Sequence, residues 1–276
     1  TEVTMSDGPL LITKITPPLT RDDWVSRPEL SQQLENCPGG TSALLCAPAG
    51  YGKTVLLSQW AAQTSSPPAW LSLDAGDNDR SRFLTYCAVS IQSRHDLADL
   101  EPLTLFSAPG KDAVEHGLIT LINTLQDQPA PITLVLDDYQ AIRNPAVHGA
   151  VTFLIDNLPS TLRVFIATRA DPPLPLARWK SRSRLLEIRA DRLRFTMLES
   201  RTFLQHSMAA NLDEGQLREL HAKTEGWISG LRLGVLSLQH VRDPGAGIHS
   251  LSGASSEIAA YLTSEVLRQL PPDTQR

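Results

Sequence analysis

The sequence predicts an α/β protein: a parallel sheet with helices on both faces, followed by a small all-helical domain. Three observations carry this. Apolar, β-rich runs at 42–46, 69–73, 132–136, 162–167 and 184–188 alternate with helical periodicities. The first run passes through a small-residue loop into Gly-Lys-Thr, and helical periodicity starts at once. From about residue 196 the strand signal disappears and only helical patterns remain.

The loop reads Ala47-Pro48-Ala49-Gly50-Tyr51-Gly52-Lys53-Thr54. A polyphosphate needs many donors close by. Gly50 and Gly52 let backbone N–H groups approach phosphate oxygens with no Cβ in the way. The helix beginning near Lys53 adds its positive dipole end. Lys53 would reach the terminal phosphates, and the Thr54 hydroxyl would sit on Mg2+. The candidate cofactor-binding residues of this stretch are Ala49, Gly50, Tyr51, Gly52, Lys53, Thr54 and Val55. The usual motif opens with Gly where this chain has Ala47, so the bare pattern is not met. Lys53 is expected to point to solvent when no phosphate is bound.

The run Ile132–Leu136 ends in Asp137-Asp138. In this context the first acid holds the metal, usually through water, and the second orients or deprotonates an attacking water. A solvated Asp-Asp turn after a buried strand is the plainer alternative. Its position about eighty residues after the loop, in an alternating chain, favours the nucleotide reading. This makes the chain a P-loop NTPase, with ATP or ADP and Mg2+ as the expected cofactors. The run 162–167 ends in Thr168-Arg169, where ligands sit in open α/β sheets. Arg169 is therefore a candidate γ-phosphate sensor, against a plain surface arginine.

Composition bounds the rest. The chain has 276 residues and a net charge of −5, which argues against a nucleic-acid-binding surface. No apolar run approaches membrane-spanning length, so no membrane partner is expected. The N-terminal residues Thr1 to Met5 lack the basic and apolar regions of a signal peptide. The first residue is Thr, so the chain reads as a fragment of a longer protein. Three cysteines without a Cys-x-x-Cys spacing argue against disulfides and a zinc site, and Cys46 reads as a small buried residue.

Taken in order, residues 1–23 read as an extended arm rather than a packed element, because of Pro9, Pro17 and Pro18. A helix follows at 28–36, opened by Pro28. In many P-loop proteins the segment before the first strand packs on the nucleotide base. Val25 and Arg27 are candidates for that contact, with a surface helix the alternative. Helices are expected at 53–63, 79–94, 111–126 and 145–158, with Asp77-Asn78-Asp79 as caps and 96–110 irregular. Pro172 to Pro175 forces an extended turn. Thr196 and Glu199 form a capping-box pattern before helices at 197–210, 213–224 and 227–240. The helices after 195 are expected to bury their apolar faces against the sheet domain. A last helix lies at 255–269.

These stretches together resemble the large ATP-binding LuxR-type transcription regulators of the MalT type, which are STAND-class ATPases. The loop with Gln59-Trp60 fits. So do Trp70-Leu71-Ser72-Leu73-Asp74, Leu136-Asp137-Asp138-Tyr139, Ala167-Thr168-Arg169-Ala170-Asp171-Pro172, Leu193-Arg194-Phe195-Thr196 and Thr224-Glu225-Gly226-Trp227. In that family Ala is common in place of the first loop Gly. The resemblance implies an ATPase core over 1–195, with the arm and first helix in 1–40, then a helical domain over 196–244. The start of a truncated winged-helix domain follows at 250–276. It implies a signal-transducing switch with slow hydrolysis, ADP-bound at rest and self-associating with ATP. Its sensor and DNA-binding domains would lie downstream, so this fragment would not bind nucleic acid itself. By family role Lys53 and Thr54 bind phosphate and metal, Asp137 is the metal acid, Asp138 the base and Arg169 the sensor. Gly226-Trp227 stands where relatives carry Gly-x-Pro near the adenine, and the proline is absent here. The rival readings are an AAA+-like motor or loader, with Arg178, Arg182 or Arg184 offered as a finger, and a scaffold with a decayed site.

Overall fold

The computed structural model describes residues 4–5, 8–95, 97, 106, 111–206, 212–238, 245 and 248. Five strands form one sheet: β1 Ser42–Cys46, β2 Ala69–Ser72, β3 Ile132–Asp137, β4 Leu162–Thr168 and β5 Leu185–Arg189. Their spatial order is β2-β3-β4-β1-β5. The pairings β1–β4, β2–β3 and β3–β4 are parallel, with Cys46 opposite Thr168 and Ser72 opposite Asp137. Nearly every residue of β1, β3 and β4 is buried, as expected of strands covered on both faces.

Side chains alternate between the two faces. Leu44, Leu71, Leu134, Leu136, Val164 and Ile166 join one core cluster. Helices α3 Arg80–Gln92, α4 Lys111–Gln126 and α5 Pro145–Asp156 supply its other side, through residues such as Phe83, Leu121 and Val151. On the opposite face Phe165 meets Trp60 of α2 Lys53–Gln63, ring centroids 5.0 Å apart. Arg163 is buried on that same face. It donates to Thr133 Oγ1 at 2.9 Å and to the carbonyls of Glu35 and Cys37 at 3.0 and 3.2 Å. A cation thus closes the C-terminal end of α1 Pro28–Glu35, where carbonyls lack helical partners.

The chain divides into two units. The first holds Thr1–Thr20, Arg27–Cys46 and Thr54–Ile188; the second holds Arg21–Ser26, Ala47–Lys53 and Arg189–Arg276. The second unit contains α7 Ala190–Leu193, α8 Met197–His206, α9 Glu214–Thr224 and α10 Ile228–Leu238. The capping box at the start of α8 is made: Thr196 N–H donates to Glu199 Oε2 at 2.7 Å and Glu199 N–H to Thr196 Oγ1 at 3.2 Å. These helices do not depend on the sheet for their core. Leu204, Leu217, Leu220, Leu231, Val235 and Leu238 bury against one another with Val25 and Phe195. Three helices, α8, α9 and α10, supply this cluster, because apolar residues at three- and four-residue spacing give α9 and α10 an apolar stripe and Leu204 adds to it from α8.

The arm also differs from expectation. Ile12–Ile15 forms a 3-10 turn, and Lys14 and Ile15 are buried. Lys14 Nζ donates to Asp77 Oδ2 at 2.5 Å and Asp74 Oδ2 at 2.9 Å, so an ion pair packs what prolines alone made look extended. Of the three expected caps, only Asp79 caps α3, accepting from Arg82 N–H at 2.7 Å. Asp77 is fully buried beside Lys14, and Asn78 takes the backbone N–H groups of Arg143 and Asn144 at 2.6 and 2.9 Å. A short helix α6 Leu176–Ser181 follows the proline turn. The irregular stretch 96–110 lies almost wholly outside the described residues, and the helix at 255–269 and the winged-helix start at 250–276 lie outside them altogether.

Candidate functional site

The carboxyl ends of β1, β3 and β4 bring the first unit's candidate residues together. Thr54, one residue into α2, lies within reach of Asp137, the last residue of β3. Its Oγ1 is 2.8 Å from Asp137 Oδ2 and 3.1 Å from Oδ1. One hydroxyl proton serves one oxygen, so the shorter contact is the donation. Asp137 is 3% exposed and also accepts the Asp138 backbone N–H at 3.0 Å. The pairing joins residues 83 positions apart.

Asp138 follows with left-handed backbone, φ 56° and ψ 39°. Acids tolerate this region better than most residues. It turns the chain out of the strand and aims the second carboxylate differently from the first. Asp138 Oδ1 accepts from Gln140 Nε2 at 2.7 Å. Below it, buried Tyr139 shares a hydrogen bond of 2.9 Å with His148 Nδ1. Burial holds the His148 imidazole below its ordinary value and pushes the Tyr139 phenol up. Arg169 is half-buried just beyond β4, between the ends of β1 and β3 in the sheet order.

The loop 47–53 belongs to the second unit. Gly50 and Gly52 have φ of 78° and 76°, a region that glycine enters without penalty. Lys53 is 8% exposed and donates to the carbonyls of Ala47 and Pro48 at 2.6 and 3.0 Å. The expectation of a solvent-directed lysine is therefore corrected. A loop that curls tightly brings carbonyls to its own ammonium group, and a buried cation takes such partners. Ala49 is buried, Tyr51 and Val55 are half-buried. Val25 is placed in the core of the helical unit, while Arg27 is half-buried in the first unit, preceding α1.

Sequence reasoning missed one set of contacts to the loop. Trp227 indole N–H donates to Ala49 O at 3.0 Å, and Ser229 backbone N–H donates to Gly50 O at 3.1 Å. The resemblance pointed at Gly226-Trp227, but no local pattern signals a bond across 178 residues. The cysteines Cys37, Cys46 and Cys87 are free and buried. No helix among the described residues is long and apolar enough to cross a membrane.

Comparison with known proteins now bears on this geometry. No family model matches the chain. The HTH-type transcriptional regulator MalT of Cronobacter sakazakii is 32% identical over 272 residues, 97% of this chain and 30% of that protein. MalT of Yersinia enterocolitica is 31% identical over 285 residues, 96% of this chain and 30% of that protein. The chain is thus similar in sequence to MalT-type regulators over nearly its whole length. It spans about 30% of their length. Among solved structures, a STAND protein with a tetratricopeptide-repeat sensor from Pyrococcus horikoshii superimposes with a TM-score of 0.59. It shares 15% identity, with coverage of 93% of this chain and 34% of that one. Cdc6p from Pyrobaculum aerophilum gives 0.52 at 18% identity, over 87% and 66%. At these identities the likeness shows the fold alone, a parallel sheet with helices, as the sequence predicted.

Proposed function

We propose that this chain is an ATP/ADP-binding switch module of a MalT-like, LuxR-type transcription regulator working in the cytoplasm. The Thr54–Asp137 pairing carries the reading. A hydroxyl at the start of the loop helix and a buried acid at a strand end meet at 2.8 Å from 83 residues apart. A solvated Asp-Asp turn, the plainer alternative, does not bury its first acid this way.

The residues fit Mg2+. They present a hydroxyl and a carboxylate, hard oxygens of the kind it takes, and phosphate oxygens and waters complete such sites. Held by Thr54 and Asp137, Mg2+ would supply positive charge against the phosphates. Lys53 exchanges its two carbonyl partners for phosphate oxygens. Gly50, Tyr51 and Gly52 offer backbone N–H groups. Asp138 takes the proton of an attacking water and Arg169 senses the γ-phosphate. Val25 and Arg27 remain proposals as base contacts. The domain limits 1–195, 196–244 and 250–276 are likewise part of this proposal. ADP holds the module at rest; ATP with an inducer opens it to self-association, and slow hydrolysis resets it. Sensor and DNA-binding domains downstream read the state, and this acidic stretch does not bind DNA itself.

A continuously turning motor finds less support. Of its three offered fingers, Arg178 pairs with Asp156 at 2.5 Å. Arg184 donates to the carbonyls of Gly40 and Asp156 at 3.0 and 3.1 Å. Both serve the fold. The test is calorimetric titration of wild type, Lys53→Ala and Asp137→Ala with ADP and ATP, with and without Mg2+. Binding that is lost in Lys53→Ala and made indifferent to Mg2+ in Asp137→Ala supports the reading. Because Lys53 is tied into the loop, a melting curve of the unliganded variant checks its fold. Unchanged affinities in both variants refute the reading.

A further inference from the structure

Four consecutive carbonyls of the loop each accept a hydrogen bond within the second unit. Ala47 and Pro48 accept from Lys53 Nζ at 2.6 and 3.0 Å. Ala49 accepts from the Trp227 indole at 3.0 Å, and Gly50 from the Ser229 backbone N–H at 3.1 Å. The last two donors come from the start of α10. Ser229 N–H is one of the first-turn donors that a helix cannot satisfy internally.

A trans peptide is planar, and its C=O and N–H point in opposite directions. Fixing the Ala49 carbonyl fixes the Gly50 N–H on the other side of that plane. Fixing the Gly50 carbonyl does the same for the Tyr51 N–H. Both N–H groups are therefore turned away from α10, as successive donors of the kind that form an anion-binding concavity.

The grip is close. A Cβ on Gly50 would stand 2.3 Å from Ser229 Oγ and 2.8 Å from Trp227 Nε1, and one on Gly52 would stand 2.8 Å from Ile228 Cδ1. The indole is itself held. Gly230 leaves room for it, since a Cβ there would stand 2.5 Å from Trp227 Cε3. The Trp227 backbone N–H donates to Thr224 O at 2.8 Å. The turn before it is pinned by Phe195 N–H donating to Gly226 O at 2.8 Å.

We propose that Trp227 and Ser229 are positioning residues for the phosphate cradle. They hold two loop peptide planes in the orientation that receives a polyphosphate, and they act through the loop rather than by touching the base. This rests on the nucleotide-binding reading above and adds the residues that set the cradle's geometry.

The test uses the full 276-residue chain, titrated with ADP, inorganic pyrophosphate and adenosine. Trp227→Phe keeps a ring and removes the N–H. Ser229→Pro removes the second donor in a first helical turn and also sets its Cδ against the Gly50 carbonyl, so that peptide plane must turn. Each variant is expected to weaken ADP and pyrophosphate in parallel, by about 3–10-fold for one hydrogen bond, and to leave adenosine unchanged. Unliganded melting curves report folding, and if one variant does not fold the other decides. A loss confined to adenosine and ADP, with pyrophosphate unchanged, overturns the proposal, because Trp227 would then read the base. So does unchanged binding of all three ligands. If wild type binds neither ADP nor pyrophosphate, the nucleotide reading itself has failed, and the positioning role with it.

Discussion

Gly50→Ala tests the packing of the loop against α10 without any ligand. Gly50 has φ of 78°, and an L-residue in the left-handed region costs about 1–2 kcal/mol. The added methyl would also stand 2.3 Å from Ser229 Oγ and 2.6 Å from Ser229 Cβ. Neighbours must shift, and overpacking of this kind costs about 1–3 kcal/mol. The two together come to about 2–5 kcal/mol of unfolding free energy, a large share of the stability of an ordinary domain. Urea denaturation followed by circular dichroism measures it. The structure separates the two contributions. Ser229→Gly removes the two atoms nearest the new methyl and leaves in place the backbone penalty and the contact with Trp227 Nε1 at 2.8 Å. In the double variant part of the steric share of about 1–3 kcal/mol should be recovered as a coupling energy between the sites. A cost for Gly50→Ala below about 0.5 kcal/mol would refute the packing argument, as would a double variant whose costs simply add.

Three further outcomes follow. Lys14→Met should destabilise by about 3–5 kcal/mol, because it strands the fully buried Asp77 carboxylate beside Arg82. Lys14→Met with Asp77→Leu should recover most of that in thermal melting; no recovery would refute the ion-pair account. Asp138→Asn should retain ADP and ATP binding and lose about 10²–10⁴ in hydrolysis rate, measured by phosphate release; normal turnover would send the search for a base elsewhere. Stability should also fall on acidification. His148 is held below the ordinary imidazole value of 6.5 by burial. Between that depressed value and 6.5 the unfolded chain binds a proton that the folded chain refuses. Stability from this group is thus complete above 6.5 and declines as pH falls through the window. His148→Gln should flatten the decline in melting temperature between pH 7 and pH 5, with His95, depressed in the same direction by burial, supplying part of what remains.

The first four strands were legible because they are buried on both faces, all but the last residue of β2. β1 is found at Ser42–Cys46 as expected, and the other four differ by one residue at one end or both. Such strands read as unbroken apolar runs, which few other elements imitate. The capping box at Thr196 was legible for a different reason: its chemistry is complete within four residues. Lys14 had neither advantage. Its partner lies 63 residues away, and a four-residue 3-10 turn is too short to show a period. The three prolines around it therefore dominated the reading, although what settles the arm is one buried ion pair.

The candidate site divides along the same line. Residue types at the loop and at the end of β3 stood out because phosphate and metal chemistry would call for them locally. The state of the loop was not. Whether Lys53 reaches into solvent or folds back depends on which carbonyls lie near it, and the curl set by Gly50 and Gly52 decides that. With Ala47 and Pro48 taken by Lys53, and Ala49 and Gly50 taken by α10, the loop has committed its acceptors inward. A donor-rich face is what remains for an anion. The lysine bonds and the α10 bonds differ in one respect that matters for switching. A phosphate oxygen can compete with a carbonyl for the Lys53 ammonium, and a charged acceptor makes the stronger hydrogen bond. No phosphate competes for the indole N–H of Trp227 while its carbonyl stays in place. Ligand binding should therefore release the lysine and leave the tryptophan grip intact, which makes the α10 contact the fixed part of the loop and Lys53 the part that moves.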